Sequence, residues 1–389
     1  MDTERRRFIK FVIGSQYFLY FGVLGIFLPY FNLYCYHLGF SGLEIGVLSA
    51  LRSVALVLFA LIWGALADRL NIRRPIYIFC AIVSTSIWAC FLFTVKFWPM
   101  LFITVFYGMF YAPIISFLEA FTMDALGKEK KSYGRIRVWG SVSFITMVLA
   151  LGKIIDLYSL DTILVFILAG SILLSIFATR IPVIAPPKKD RFRSSEGFLF
   201  KRRVIIFLCC AFLMLVSHGA YYGFFSIHLE NLGYDPTFIG ICWALASTAE
   251  ILVMIRSKKL FDRFSLENVL TFSFAVAALR WLILFFAKTP IAILSSQLLH
   301  AVTYGTFHMA SILYMDRLTP EKSKTTGQAV NNAITYGLGL MVGFFLNGYL
   351  YEKAGSYALF IMSSGIALIA GLVFSLFRGS GQGLMFESS

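Results

Sequence analysis

Long apolar runs recur along the whole chain and limit what it can fold into. The 389-residue sequence is 59% hydrophobic and 14% charged, whereas a soluble domain carries roughly 25% charged residues. A run of about 20 apolar residues is long enough to cross a bilayer core of about 30 Å. Because no water satisfies backbone polar groups inside that core, such runs should be α-helices. The sequence therefore predicts an all-α membrane protein.

Twelve apolar runs can be delimited along the sequence. The first is too long and too rich in tyrosine for a cleaved signal peptide, and no small-residue cleavage site follows it. It is therefore predicted to remain as a transmembrane helix. The twelve predicted spans cover residues 10–35, 43–67, 75–95, 98–123, 135–155, 161–180, 204–229, 236–256, 267–287, 290–314, 326–350 and 356–377.

The net charge of +14 is explained by where the basic residues lie. Of the 34 Lys and Arg residues, 27 fall in the two termini or in the loops that follow even-numbered helices. An excess of basic residues marks cytoplasmic loops. The charge distribution therefore predicts a multi-pass protein of the cell inner membrane with both termini in the cytoplasm. It argues against nucleic acid as a partner.

One long polar stretch divides the twelve predicted helices into two sets of six. It reads "RIPVIAPPKKDRFRSSEGFLFKRR", and its prolines and basic residues are typical of a cytoplasmic linker. We therefore expect a six-helix bundle at 1–180, a linker at 181–203 and a second six-helix bundle at 204–377. The last residues, 378–389, are predicted to form a disordered tail.

Short motifs recur at nearly the same offset in the two halves. "ADR" at 67–69 is matched by "FDR" at 261–263, and "MDAL" at 123–126 is matched by "MDRL" at 315–318, so the offsets are 194 and 192 residues. Duplicated bundles are a common architecture of secondary transporters. The organisation alone therefore predicts transport.

The loop after the second predicted helix carries the most specific motif. "GALADRLNIRRP" at 64–75 resembles the loop 2–3 signature of the major facilitator superfamily, with a degenerate second copy at "KKLFDRF". The resemblance covers essentially the whole chain and implies twelve helices in two pseudo-symmetric six-helix bundles. Its glycine is expected to let helices approach closely. The implied cytoplasmic gate comprises Gly64, Asp68, Arg69, Arg73, Arg74, Asp262 and Arg263.

Motifs in both halves resemble one branch of that superfamily. "LEAF" at 118–121, "GRIRVWGS" at 134–141, "TAEIL" at 248–252, "ALRWLIL" at 278–284 and "LLHAVTYGTFHMAS" at 298–311 are similar to motifs of lactose permease, phenylpropionate permease and the nucleoside–proton symporters. The chain looks most like phenylpropionate permease. By this resemblance, the functional positions are Glu119, Arg137, Glu250, Arg280 and His300. An acid and a lysine of lactose permease helix 10 are replaced here by Thr303 and Gln297.

The residues themselves point to the same positions. An ionisable group at membrane depth costs at least roughly 2.5 kcal/mol, so each one needs a reason. The charged residues well inside the predicted spans are Arg52, Glu119, Arg137, Glu250 and Arg280. Three cations against two anions leave one positive charge without an internal partner, which favours a substrate that brings a carboxylate.

Each of these charges has a structural and a functional interpretation. Arg52, near the middle of helix 2, either bonds carbonyls and tyrosines or meets the substrate, and an arginine suits a carboxylate well. Arg137 and Glu119 either snorkel and pair structurally or form a polar clamp that faces a cavity. Desolvation favours the neutral form of a carboxyl group and a nearby arginine favours the charged form. These opposed effects would let Glu250, beside Arg280, load and release a proton.

Helix 10 carries a polar stripe. His300, Tyr304 and His308 are spaced by four residues, which places them on one helical face about 12 Å long. They are candidates for a proton path, and His218, Tyr221 and Tyr222 form a looser group on helix 7.

Two sets of site residues are therefore predicted. The proton-coupling residues are Glu250, Arg280, His300 and His308. The substrate-binding residues are Arg52, Glu119, Arg137, Trp139, Tyr20, Tyr111, Tyr221, Tyr304, Asn331 and Asn332.

Other function classes lack support. The sequence has no G-x-x-x-x-G-K-[ST] loop and no H-E-x-x-H motif, so neither ATP-driven pumping nor zinc proteolysis is indicated. Its six cysteines lie in apolar spans without metal-ligand spacing and are predicted to be small buried hydrophobes. We therefore expect no enzymatic activity, no metal and no cofactor.

Together these patterns predict a symporter that uses a proton gradient to import a small organic substrate by alternating access. An aromatic or other small organic acid is the first choice, and a nucleoside or an oligosaccharide is the alternative. Drug or lysolipid efflux is a further alternative, and a non-transporting membrane sensor is a remote one. The expected partners are the substrate, protons and the lipid bilayer, with the chain acting as a monomer.

Overall fold

The computed structural model describes residues 3–127, 133–182 and 196–378. Within these ranges all regular secondary structure is helical, which confirms the predicted all-α class. Most of the predicted linker (183–195) and nearly all of the predicted tail (379–389) lie outside the described residues.

Thirteen α-helices follow one another in the described ranges. They are α1 (Thr3–His37), α2 (Gly42–Leu70), α3 (Arg73–Ala89), α4 (Phe97–Leu126), α5 (Tyr133–Leu157), α6 (Thr162–Ala178), α7 (Arg202–Asn231), α8 (Pro236–Arg263), α9 (Leu266–Phe286), α10 (Pro290–Leu298), α11 (Phe307–Leu318), α12 (Lys324–Asn332) and α13 (Leu340–Arg378). Two π-helical segments, Ala301–Thr306 and Ala333–Gly339, interrupt the predicted helices 10 and 11.

These elements agree with the predicted spans. Among the described residues, 9 helical stretches are long and apolar enough to cross a membrane, and α6 is a shorter apolar helix. The stretch Glu321–Phe377 has 57 residues and would be about 85 Å long if straight. The helix is broken at Gly355, whose φ of 72° is a positive value that glycine adopts readily and other residues rarely do. With α10–α11 as a further span, the elements are consistent with twelve crossings.

Local sequence signals explain where helices begin and end. Ser41 caps α2 by accepting from the backbone of Glu44, whose side chain accepts from the Ser41 backbone in return. The same helix ends at Asn71 in the left-handed conformation, with φ of 56°. Thr289 caps α10, and Pro290 follows at the first helical position.

Two compact units make up the chain. Unit 1 contains Met1–Lys189 and Ser226–Ala244, and unit 2 contains Asp190–Phe225 and Leu245–Ser389. In unit 1 the hydroxyl of Tyr30 donates to the carbonyl of Val148 at 2.9 Å. The boundary predicted from the linker, with bundles at 1–180 and 204–377, stays a prediction.

In unit 2, α7 and α13 approach closely at glycines. A Cβ atom added at Gly219 would lie 2.5 Å from the backbone carbonyl carbon of Gly343. Backbone atoms cannot move aside cheaply, so only glycine fits at this contact. Small residues that let helix backbones meet are typical of membrane helix pairs.

We expect Gly219→Ala to lower the thermal unfolding midpoint of the purified protein in detergent, because overpacking costs about 1–3 kcal/mol. Gly365→Ala is the matched control, since a Cβ atom there would meet no described atom within 4 Å. Equal midpoints for the two variants would contradict the close contact.

Candidate functional site

Arg280 on α9 is completely buried in unit 2, with 0% of its surface exposed. Its guanidinium donates to the carbonyl of Ser296 at 2.9 Å and to the side-chain oxygens of Gln297 and Thr303, each at 3.2 Å. Gln297 and Thr303 thus hold the arginine with neutral groups. The sequence already indicated that these positions differ from lactose permease, and the structure shows that both contact the arginine.

Two aromatic rings complete the surroundings of Arg280. The guanidinium carbon lies 4.3 Å from the centroid of the Tyr221 ring and 4.7 Å from that of Trp281. Desolvated cation–π contacts are worth about 2 kcal/mol. Within the described ranges, Arg280 forms no ion pair with an acid. The direct Glu250–Arg280 pair that the sequence suggested is therefore not formed, because hydrogen-bond acceptors and rings already fill this site.

His300 lies between Arg280 and Glu250. Its Nδ1 accepts a hydrogen bond from Arg280 Nη1 at 2.8 Å, and its Nε2 lies 3.9 Å from Glu250 Oε2. An arginine can only donate, so Nδ1 must carry the lone pair and the ring proton must be on Nε2. The bond to Arg280 therefore keeps His300 neutral and directs its N–H towards the Glu250 carboxyl group.

The predicted stripe on helix 10 is confirmed as a stack of rings. His300 and Tyr304 are parallel within 10° at 5.2 Å, and Tyr304 and His308 are parallel within 5° at 6.1 Å. The stack crosses the π-helical segment, whose wider turns bring a spacing of four residues closer to one full turn. Nδ1 of His308 bonds the hydroxyl of Tyr336 at 2.5 Å.

The absence of a side chain at Gly305 leaves room for the Glu250 side chain. A Cβ atom at Gly305, inside the π-helical segment, would lie 2.8 Å from Glu250 Cγ. The glycine therefore lets the acid-bearing helix α8 pack directly against this segment. Glycine makes this close approach possible, which the sequence pattern of helix 10 did not reveal.

His218 on α7 belongs to the same cluster. Its Nδ1 lies 2.8 Å from the carbonyl of Met214, which can only accept, so His218 carries its proton on Nδ1. Its Nε2 is buried and has no hydrogen-bond partner among the described residues. The ring centroid lies 6.5 Å from that of His300 and 6.2 Å from that of Tyr304. The looser group predicted on helix 7 is therefore joined to the helix 10 stack.

Arg52 is the corresponding cation of unit 1. Its guanidinium lies 4.7 Å from the centroid of the Phe27 ring, and it has no hydrogen bond or ion pair with any other described residue. A small cavity of about 10 Å³ lies beside it, lined in part by Tyr107 and Tyr111. Arg52 is thus held by aromatic faces and has no carboxylate partner.

Tyrosines of α1 and α4 form a ladder next to Arg52. Tyr20 stacks on Tyr111 at 5.0 Å, and Tyr111 stacks on Tyr107 at 4.9 Å. The Tyr20–Tyr111–Tyr107 ladder therefore lies on the same side of unit 1 as Arg52, and Tyr107 and Tyr111 line the small cavity beside it.

The predicted clamp between Glu119 and Arg137 is not closed. No ion pair joins them in the described part of the chain, although the carboxylate interacts with Arg137 electrostatically. Instead, the Arg137 guanidinium lies 3.7 Å from the centroid of the Phe21 ring and 5.5 Å from that of Tyr17. Glu119 is exposed. The ring faces of α1 stabilise the cation in place of the acid.

Trp139 does not join this group. It lines a separate groove with Lys10, Gly14 and Phe177. Residues two positions apart on a helix point about 200° away from each other, so Trp139 and Arg137 lie on opposite faces of α5. Its predicted contact with substrate beside Arg137 is not supported by this placement.

Asn331 and Asn332 are not brought together either. Asn331 is fully buried and exchanges hydrogen bonds with Ser311 of α11 and Thr335 of the second π-helical segment. Its amide is therefore used to join helices, whereas Asn332 is exposed on another face of α12.

The signature loop forms a charge network in unit 1. Arg73 donates to Asp68 at 2.7 Å and lies 3.5 Å from Asp124. Arg74 donates to the carbonyls of Thr179 and Ile181 after the last turn of α6. The repeated "MDAL" motif contains Asp124, so the sequence carried the signal for this residue without assigning it a role.

Four predicted gate residues take no part in that network. A Cβ atom at Gly64 would meet no described atom within 4 Å, so the expected close helix approach is absent there. Arg69 and Asp262 are exposed, and neither forms a hydrogen bond or an ion pair with another described residue. The Arg263 guanidinium carbon lies 5.4 Å from the centroid of the ring of its neighbour Phe264. In the second half, Lys324 instead pairs with Asp316 at 2.9 Å.

Ionisable side chains inside membrane-spanning helices mark substrate and ion pathways. In the described ranges, no group of three or more His, Cys, Asp or Glu residues is placed to hold a metal ion. The helical fold and its two clusters of charged, tyrosine and histidine side chains define a membrane transport protein. The chain belongs to the MFS_1 like family, whose model matches residues 11–362.

Known proteins support this assignment. The chain is 28% identical to a probable 3-phenylpropionic acid transporter of Escherichia coli (strain K12), over 90% of this chain and 93% of that protein. It is 25% identical to a maltose permease of Geobacillus stearothermophilus, covering 94% of each. The crystal structure of the nucleoside transporter NupG has a TM-score of 0.84 at 17% identity, over 95% of this chain and 99% of that chain. The fold is therefore that of the major facilitator superfamily.

The two neighbouring histidines are expected to be neutral in opposite tautomers. Nitrogen-15 NMR of histidine-labelled protein at neutral pH should show His300 protonated on Nε2, because Arg280 donates to Nδ1, and His218 protonated on Nδ1. Single His300→Asn and His218→Asn variants assign the signals. A doubly protonated His300, or the same tautomer at both positions, would contradict the assigned contacts.

Proposed function

We propose that this transporter is a proton-coupled symporter that imports a small organic acid, and an aromatic acid before others, by alternating access. It would act as a monomer in a bacterial inner membrane, with both termini in the cytoplasm and the proton gradient as the energy source. Unit 1 would contribute the cations that meet the acid. Unit 2 would contribute the group that carries the proton.

The proposal of an acidic substrate rests on the excess of positive charge among the site residues of unit 1. Arg52 and Arg137 are both held by aromatic faces and have no ion-paired acid among the described residues. A cation at membrane depth costs roughly 2.5–3.5 kcal/mol. A substrate carboxylate would offset that cost and would match the planar fork of an arginine.

The aromatic preference rests on the tyrosine ladder. Tyr20, Tyr107 and Tyr111 present stacked rings next to Arg52, and a ring on the substrate could extend that stack at the roughly 4.5–7 Å spacing that aromatic pairs prefer. The relative from Escherichia coli is named as a probable transporter of 3-phenylpropionic acid, which combines a ring with a carboxylate. Nucleosides also carry a ring, but they bring no carboxylate for Arg52.

Glu250 is the proposed proton carrier. His300 cannot take a second proton while its Nδ1 accepts from Arg280, so the nearby carboxyl group is the site left to titrate. The Nε2–H of His300 favours the ionised carboxylate, and burial favours the protonated one. A small movement of α8 relative to the π-helical segment would change the distance from Glu250 to His300 and the burial of the carboxyl group. Such a change would favour either release or uptake of the proton.

Coupling is expected to be lost in Glu250→Gln. In vesicles, 3-phenylpropionic acid should raise the external pH as it enters with protons through the wild-type protein, because each cycle loads Glu250. The glutamine variant should give no pH signal above empty vesicles. Asp161→Asn, at an exposed helix end, is the control and should keep the signal. A full signal in Glu250→Gln would overturn the proposed role.

Recognition of the carboxylate is expected to depend on Arg52. We expect Arg52→Gln to weaken binding of 3-phenylpropionic acid by roughly 10- to 100-fold, because a charge-assisted hydrogen bond is worth about 1.5–3 kcal/mol. Binding of the neutral 3-phenylpropionamide should be weak in the wild type and unchanged in the variant. Calorimetry of purified protein measures both ligands.

Arg135→Gln is the matched control for that experiment, because Arg135 is an exposed arginine on the helix that carries Arg137. Equal affinity of the wild-type protein for the acid and the amide would contradict the carboxylate proposal. Tight binding of uridine with no effect of Arg52→Gln would favour a nucleoside substrate instead.

A further inference from the structure

A long groove in unit 2 is lined by residues that are not part of the histidine cluster. It has a volume of about 650 Å³ and is lined by α8, α9 and the first π-helical segment. Its lining residues are Leu252, Val253, Arg256, Leu260, Phe264, Asn268, Val269, Phe272, Val302 and Thr306. Along α8, Leu252 to Leu260 spans roughly 12 Å, which is most of one leaflet of a bilayer core of about 30 Å.

The groove is amphipathic along its length. Leu252 is 51% exposed and Phe272 is 60% exposed, so its deeper part presents apolar side chains to the hydrocarbon. Along α8 the exposed Arg256 lies between the apolar lining residues Leu252 and Leu260, and the exposed Asn268 lies in the first turn of α9. Arg256 is the only cation that lines the groove. An occupant with an anionic head and apolar chains would match a single cation among apolar side chains.

Arg256 is available for such a head group. It forms no hydrogen bond or ion pair with any other described residue, and the nearby acid Glu267 pairs with Arg317. The long arginine side chain can reach towards the level of lipid phosphates while its stem stays among apolar groups. Lys258 and Lys259 follow on the same helix and are exposed, but neither lines the groove.

We propose that this groove binds one anionic phospholipid of the surrounding bilayer, with its phosphate on Arg256 and an acyl chain along Leu252, Phe272 and Val302. Basic pockets between transmembrane helices are known to take anionic head groups. A soluble anion would leave the apolar part of the groove unfilled. The inference does not rest on the transported substrate.

The bound lipid would also support the proton site. Val302 and Thr306 line the groove, and Gly305 of the same π-helical segment packs against Glu250 of α8. An acyl chain in the groove therefore packs on the segment that positions Glu250. Occupancy is expected to protect the backbone of residues 301–306 from local opening.

Native mass spectrometry of the purified protein tests the site directly. We expect added phosphatidylglycerol to be retained as one tightly bound copy, and phosphatidylcholine of the same chain length to be lost more readily. Arg256→Gln should reduce the retained phosphatidylglycerol about tenfold, because it removes a charge-assisted contact. Lys259→Gln, an exposed cation outside the groove, should retain it. Equal retention by the wild type and Arg256→Gln would overturn the proposal.

Hydrogen exchange provides the second measurement. Phosphatidylglycerol should slow exchange in peptides that contain residues 301–306 in the wild type and in Lys259→Gln, and it should have no such effect in Arg256→Gln. Retention of the lipid without slower exchange would overturn its support of the proton site. Both measurements are made without any transported substrate, so their failure would leave the proposed symport untouched.

Discussion

The hydrogen bond from Arg280 to His300 is the interaction on which the arrangement of Arg280, His300 and Glu250 depends. A buried guanidinium must find acceptors, and here it finds a carbonyl, two neutral side chains, two rings and one imidazole nitrogen. Because the imidazole accepts this bond, it cannot act as a free base. One contact therefore fixes the tautomer of His300, the direction of its N–H and the role left to Glu250.

The two units place their cations in different ways. In unit 2, Arg280 reaches the carboxyl group of Glu250 only through His300. In unit 1, Arg52 and Arg137 rest on rings and leave their strongest donors without a carboxylate. The repeated halves thus differ in the described residues: unit 2 brings its cation and its acid to one histidine, and unit 1 has the excess of positive charge on which the proposed anionic substrate rests.

Hydrophobicity was enough to predict the helices, because a bilayer restricts strongly which backbone structures can cross it. Pairing and orientation were harder to predict. The sequence indicated that Glu119 and Arg137 face each other. Aromatic ring faces also attract an arginine, and residue spacing alone does not show whether Arg137 will meet the acid or a ring. The π-helical segments also have no clear sequence signal, although they align His300 with Tyr304. Likewise, the tautomer of a histidine such as His218 depends on which backbone carbonyl its ring meets.

Infrared difference spectroscopy tests the central claim most directly, by comparing the purified protein at low and high pH. If Glu250 is the group that gains and loses the proton, the wild-type spectrum contains a protonated carboxyl band that is absent from Glu250→Gln. Because His300 stays neutral throughout, imidazolium bands assigned to it through His300→Asn should not appear over the same pH range. A carboxyl band that persists in Glu250→Gln, or an imidazolium signal from His300, would contradict the account.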